Sequence, residues 1–135
     1  MPAWLGLAKL TLTQRPTNLR MPVLIILAHD WTLRACLRAE LRERGINALG
    51  MDSTEDIGRV LADGRMPALI VAEATSEFAD SRAIQALLKR VPAILIASRT
   101  DTVALPPAAA VFYRPVSIGQ IVSRVRELLE ASHAA

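Results

Sequence analysis

The chain has 135 residues, 52% of them hydrophobic and 21% charged; that balance excludes a disordered polymer and allows one domain a core of its own. The net charge of +3 resides in residues 1–20, where Lys9, Arg15 and Arg20 meet no acid, while from Met21 onward 13 basic residues balance 13 acidic ones, a poor footing for a phosphate-backbone binder. One cysteine, Cys36, excludes an internal disulfide, and with no secretion-type leader and no apolar run of membrane-spanning length the chain is expected to be cytoplasmic, with no membrane role.

In chain order, residues 1–20 stand apart. Trp4, Leu5, Leu7 and Leu10 suit a short apolar helix or strand, and Gln14 to Asn18, with Pro16, reads as a linker. This segment is expected to be an extension, flexible or mis-assigned, with Met21 as the natural opening of the domain at 21–135. Val23 to Ala28 is the first predicted strand. Trp31 to Arg44 follows as a helix with Leu33, Cys36, Leu37 and Leu41 on its apolar face, Asp30 as N-cap and Gly45 as C-cap. On the same helix Arg34, Arg38 and Arg42 form a row, expected to be a solvated face, with a partner-binding stripe as the alternative. Ile46 to Met51 is a weaker strand suited to a sheet edge, and Asp52 to Asp56 offers a capping box for a helix ending at Gly64.

Pro67 to Glu73 reads Pro-Ala-Leu-Ile-Val-Ala-Glu. A strand apolar at every position must be buried on both faces, the mark of a parallel sheet covered by helices. Glu73 then stands at the carboxyl edge of the sheet, where open α/β folds place their chemistry. A helix is predicted from Asp80-Ser81 to Arg90, a strand over Ala93 to Ala97, and a last strand over Ala109 to Tyr113, ended by Pro115. Ser117 caps a final helix whose apolar face is Ile118, Ile121, Val122, Val125, Leu128 and Leu129. Five strands alternating with helices predict an α/β, flavodoxin-like, doubly wound five-stranded parallel sheet in the order 2-1-3-4-5. Pro106 and Pro107 fall in the crossover after the fourth strand, so the fourth helix is expected to be short or missing.

In element order and spacing, Met21 to Ser132 resembles the receiver domain of two-component response regulators, the phospho-acceptor module of phosphorelays. The first-helix pattern Trp31-Thr32-Leu33-Arg34 closes at Gly45, Asp80 falls where the family carries the aspartate of a Met-Asp-Gly turn, and Arg114-Pro115 stands where it carries Lys-Pro. The resemblance implies an acidic pair for Mg²⁺ after the first strand, an acceptor aspartate after the third, a hydroxyl after the fourth and a lysine before the proline. A carboxylate attacking a phosphoryl group brings negative charge to negative charge, and the metal and the cation neutralise it.

This chain departs from that set throughout. Ala28 and His29 replace the acidic pair, leaving Asp30 as the following acid. Glu73 occupies the acceptor position. Ala97, followed by Ser98, occupies the hydroxyl position, and Arg114 replaces the lysine. Val111 stands at the aromatic switch position, and Ser76-Glu77 where Met-Pro is usual. The departures imply a degenerate receiver that has lost Mg²⁺ binding and phosphotransfer, has no catalytic residues and works through an unidentified protein partner, with a homodimer possible. Glu73 paired with Arg114 would be either a partial mimic of the phosphorylated state or a plain edge ion pair. His29 with Asp30 and Glu73 invites a metal-site reading, against which stands a helix-start histidine with no ligand role. Two further functions stay open on sequence alone: an active receiver using a non-standard site such as Asp30, Asp80 or His29, and a cofactor binder on the same fold. Neither a Gly-rich phosphate loop after the first strand nor a Ser/His/Asp set supports the latter.

Overall fold

The computed structural model describes residues 23–100 and 104–134, with side chains through residue 131. The expectations for residues 1–20 and for Met21 as the start of the domain lie outside the described residues. The elements are β1 (Val23–Leu27), α1 (Trp31–Glu43), β2 (Asn47–Met51), α2 (Thr54–Ala62), β3 (Leu69–Glu73), α3 (Ser76–Asp80), α4 (Arg82–Leu88), β4 (Ala93–Ala97), β5 (Ala110–Tyr113) and α5 (Ile118–Ala134). The five strands are all parallel, in the order β2-β1-β3-β4-β5.

Because β1, β3 and β4 are buried on both faces, their alternating side chains feed two cores. Leu24, Ile26, Leu69, Val71, Ile94 and Ile96 pack with Leu33, Leu37 and Leu41 of α1 and Ile121, Val122 and Val125 of α5. Ile25, Leu27, Ile70, Ala72 and Leu95 face Ile57 of α2, Phe78 of α3 and Ile84 and Leu87 of α4. Burial of this kind supplies the main driving force of the fold.

Local chemistry sets the ends of the elements. The Asp30 carboxylate caps α1 by accepting from the Thr32 and Leu33 amides, both at 3.1 Å. At the other end Gly45, at φ +77°, donates to the Arg42 carbonyl, and Ile46 donates to that of Leu41. This pair of bonds is a Schellman motif, and its left-handed residue costs least as glycine. The sequence expectation for α2 is met less fully. Ser53 precedes the helix, yet its hydroxyl makes no bond to the helix amides and turns to Asp56 instead.

Three corrections follow. Cys36 is exposed, not part of the apolar face. The stripe that docks on the sheet is Leu33, Leu37 and Leu41, and Cys36 lies off it at the helical periodicity. The helix predicted from Asp80-Ser81 to Arg90 is α4, started by Ser81 through the Ile84 amide at 3.3 Å, but a separate short helix that was not predicted, α3, precedes it, capped by Thr75 through the Phe78 amide at 3.1 Å. A second cap residue, Thr75, six positions before Ser81, was the overlooked signal. Finally, the row of Arg34, Arg38 and Arg42 is not a uniformly solvated face, since Arg34 Nη1 donates to the Ala28 carbonyl and Arg42 Nε to the Ala48 carbonyl.

Among the described residues no helix lies between β4 and β5. Val111 and Tyr113, on the sheet face that such a helix would cover, are exposed. Leu105 and Pro106 border α3 and α4 there instead.

Phe78 holds the short α3 to the sheet and is almost fully buried. Phe78→Ala is therefore expected to destabilise the fold by about 3–5 kcal/mol, and Thr75→Ala, which removes only the cap, by about 1 kcal/mol. Urea unfolding followed by circular dichroism measures both.

Candidate functional site

The carboxyl ends of β1, β3 and β5 bring together the residues singled out at the sheet edge. Glu73 ends β3 with its side chain 13% exposed. Its Oε1 accepts from the Asp30 amide at 3.1 Å, and its Oε2 forms an ion pair with Arg114 Nη2. Arg114 Nη1 also faces Asp30 Oδ2 at 3.6 Å. Arg114 follows β5, and β4 lies between β5 and β3. The guanidinium therefore reaches across the end of β4, where Ala97 offers only a buried methyl. The Arg114 amide is fixed to the Ala97 carbonyl at 2.9 Å. One planar cation thus ties two carboxylates from two loops.

His29 is directed elsewhere. Its Nε2 lies 3.2 Å from Glu77 Oε2. The other oxygen of Glu77 accepts from the Thr54 amide at 3.5 Å and the Thr54 hydroxyl at 3.2 Å. These bonds join the β1–α1 turn, the start of α2 and the start of α3. They hold the Glu77 carboxyl below the usual carboxylate range, first through the Thr54 amide and next through His29. Both partners are about half exposed, so the contact adds little to stability.

Between the two clusters lies a cavity of about 10 Å³ lined by Ala28, His29, Asp52, Thr54, Glu73 and Glu77 among others. That is close to the least space that holds one water molecule. The donors around it do not suit Mg²⁺, which demands near-octahedral oxygen ligands and keeps several waters. Asp30 is committed to capping α1 and to Arg114, Glu73 to Arg114 and the Asp30 amide, and Glu77 to Thr54 and His29. Among the described residues no group of three or more His, Cys, Asp or Glu side chains is placed to hold a metal ion. The metal reading of His29, Asp30 and Glu73 fails for the same reason: His29 turns to Glu77.

The remaining candidates fall outside the cavity. The Ser98 hydroxyl bonds that of Thr100 at 2.8 Å. Asp80 borders a groove between α3, α4 and residues 104–106. Val111 is exposed, and the aromatic on that face is Tyr113, beneath Arg99 at 4.9 Å from the ring centroid. Glu77 and Thr54 were not identified from sequence as a pair. Their only signal was an acid in the first turn of one helix facing the uncapped start of another.

No protein-family model matches the chain, and no curated protein sequence matches it. Solved structures do match. The N-terminal domain of a response regulator/sensory box/GGDEF three-domain protein from Carboxydothermus hydrogenoformans superimposes with a TM-score of 0.67 at 14% identity, covering 83% of this chain and 97% of that one. The fold is that of response-regulator receiver domains. A receiver protein from Burkholderia phymatum matches with a TM-score of 0.61 at 18% identity over 81% of this chain and 95% of its own. A CheY-like receiver domain from Methanospirillum hungatei JF-1 matches with a TM-score of 0.67 at 10% identity, over 84% and 98%. Among the described residues no helix is long and apolar enough to cross a membrane.

A double-mutant cycle on Glu73→Ala and Arg114→Ala is expected to give a coupling of about 1 kcal/mol, set by the partial exposure of Arg114, read from urea unfolding. The Glu77 carboxyl should titrate below the ordinary range in wild type and rise towards it in His29→Ala, as followed by carbon NMR of the side chain. Because its folded-state value is lowered, whatever stability Glu77 contributes is present above the unfolded-state value and lost as pH falls through the folded one.

Proposed function

We propose that the chain is a signalling module on a receiver fold that has left phosphotransfer and acts by binding a protein partner, independently of phosphate. The observation that carries this reading is the commitment of Glu73. In a working receiver the acceptor carboxylate must be free to attack a phosphoryl group, with a metal to neutralise the approach. In this chain the carboxylate at that position is engaged on one oxygen by Arg114 and on the other by the Asp30 amide, and the acids that a metal needs are replaced by Ala28 and His29.

Glu73 supplies one negative charge where a phosphoryl group would supply about 1.5 to 2. It reaches one methylene further than aspartate and meets a cation that cannot lose its proton. The loops after β1, β3 and β5 are therefore tied in one arrangement by groups of the chain itself. A partner that recognises that arrangement would find it at all times, and the module would report its own abundance or location and not a phosphorylation event. This reading needs no enzymatic activity and no cofactor. It fits a protein in the reducing cytoplasm, where an exposed Cys36 stays a thiol.

The test is phosphoryl transfer from acetyl phosphate in the presence of Mg²⁺, read as intact mass. Wild type is expected to gain no phosphoryl group, and Glu73→Asp is expected to gain none either, because that change leaves Ala28 and His29 in place. Labelling of wild type, or rapid labelling of Glu73→Asp, would contradict the reading.

A further inference from the structure

The outer side of α1 forms a groove of about 400 Å³ with the edge strand β2, lined by Trp31, Arg34, Ala35, Arg38, Leu49 and Gly50. The four helical residues are spaced by three and four, so they share one stripe. Trp31 stands at the lip with 70% of its surface exposed. No acid lines the groove. Arg34 is held in place, because its stem lies over Gly50, where a Cβ would come within 3.0 Å of Arg34 Cγ, and its Nη1 donates to the Ala28 carbonyl. Arg38 is exposed and makes no ion pair among the described residues.

The strand beside the groove is open at Gly50, although the outward Ala48 carbonyl before it already accepts from Arg42 Nε. Among the described residues β2 pairs with β1 alone. The Met51 carbonyl accepts from the Ala28 amide, so the alternation of the strand turns the N–H and C=O of Gly50 away from β1. An edge of this kind is a template for an added extended segment.

We infer that this groove docks an acidic, extended segment of a partner protein, with an apolar side chain against Trp31 and Leu49 and carboxylates at Arg34 and Arg38. The inference rests on the reading of the chain as a partner-binding module and names the chemistry of the partner. Charge selects this occupant. The chain's own residues 1–20 carry Lys9, Arg15 and Arg20 and no acid, so they match the groove in sign and are repelled. A second copy related by two-fold symmetry would set arginine against arginine. A nucleic acid would require a positive track along its backbone, and the chain from Met21 onward is neutral overall. Tryptophan and arginine side by side are the residue types that most often dominate protein interfaces.

The experiment is an amide and indole NMR titration of the full chain with a blocked octapeptide of alternating Glu and Leu, with a Lys-Leu peptide of the same length as control. The expected result is saturable movement of the Trp31 indole N–H and the Gly50 amide by the acidic peptide only, with a dissociation constant at or below about 1 mM. Arg38→Glu, an exposed change, should weaken binding at least about tenfold. The inference is overturned if nothing saturates at these two signals, if Arg38→Glu binds equally well, if a single-stranded oligonucleotide moves them and the acidic peptide does not, or if deleting residues 1–20 moves them in the absence of peptide. Phosphoryl labelling is read separately, so a failure here leaves the phosphate-independent reading to its own test.

Discussion

A sheet buried on both faces leaves only its edges for polar chemistry, and at its carboxyl edge this chain places an acid, Glu73, that must find a partner. It finds Arg114. Removing water from one side of a carboxylate is costly unless a cation and hydrogen-bond donors replace it, and the planar guanidinium with the Asp30 amide does so. Everything near the edge is arranged around that requirement. Ala97 keeps the end of β4 low enough for Arg114 to cross it, and Asp30 serves α1 with one oxygen while facing Arg114 with the other. On the proposed reading, the groups that satisfy Glu73 are the same groups that would deny it a metal and a phosphoryl donor.

The same economy appears on the other side of β1. Gly50 has no side chain, so the stem of Arg34 can lie across β2 and its head can reach the Ala28 carbonyl. That contact fixes the backbone just before His29 and Asp30, which connects the outer groove to the carboxyl edge through a single residue. The two regions share a support and need not share a ligand.

The topology was legible in the sequence because it depends on long-period features: doubly apolar strands, amphipathic helices and breakers between them. β4 was legible to the residue, and Pro106 and Pro107 accounted for a crossover in which no helix lies among the described residues. The misses were local. Cys36 fits the apolar face by its spacing of three from Leu33, yet a helix with three leucines at intervals of four docks on a narrower stripe. The separate short helix α3 was hidden because its cap, Thr75, stands only six residues before Ser81, the cap of α4. At the site, the positions of Glu73, Arg114 and Asp30 could be read from spacing, because strand ends fix them. The contacts of His29 and Glu77 could not, since they depend on how the start of α2 faces the start of α3 across two loops.

The most direct measurement of the central claim is an amide NMR titration of wild type with Mg²⁺ and beryllofluoride, a mimic of the phosphoryl group. If Glu73 is already satisfied by Arg114 and Asp30, the signals of Glu73, His29 and Ser98 stay where they are at every concentration. Saturable shifts at those residues would show a pocket still open to metal and phosphate, and would contradict the account.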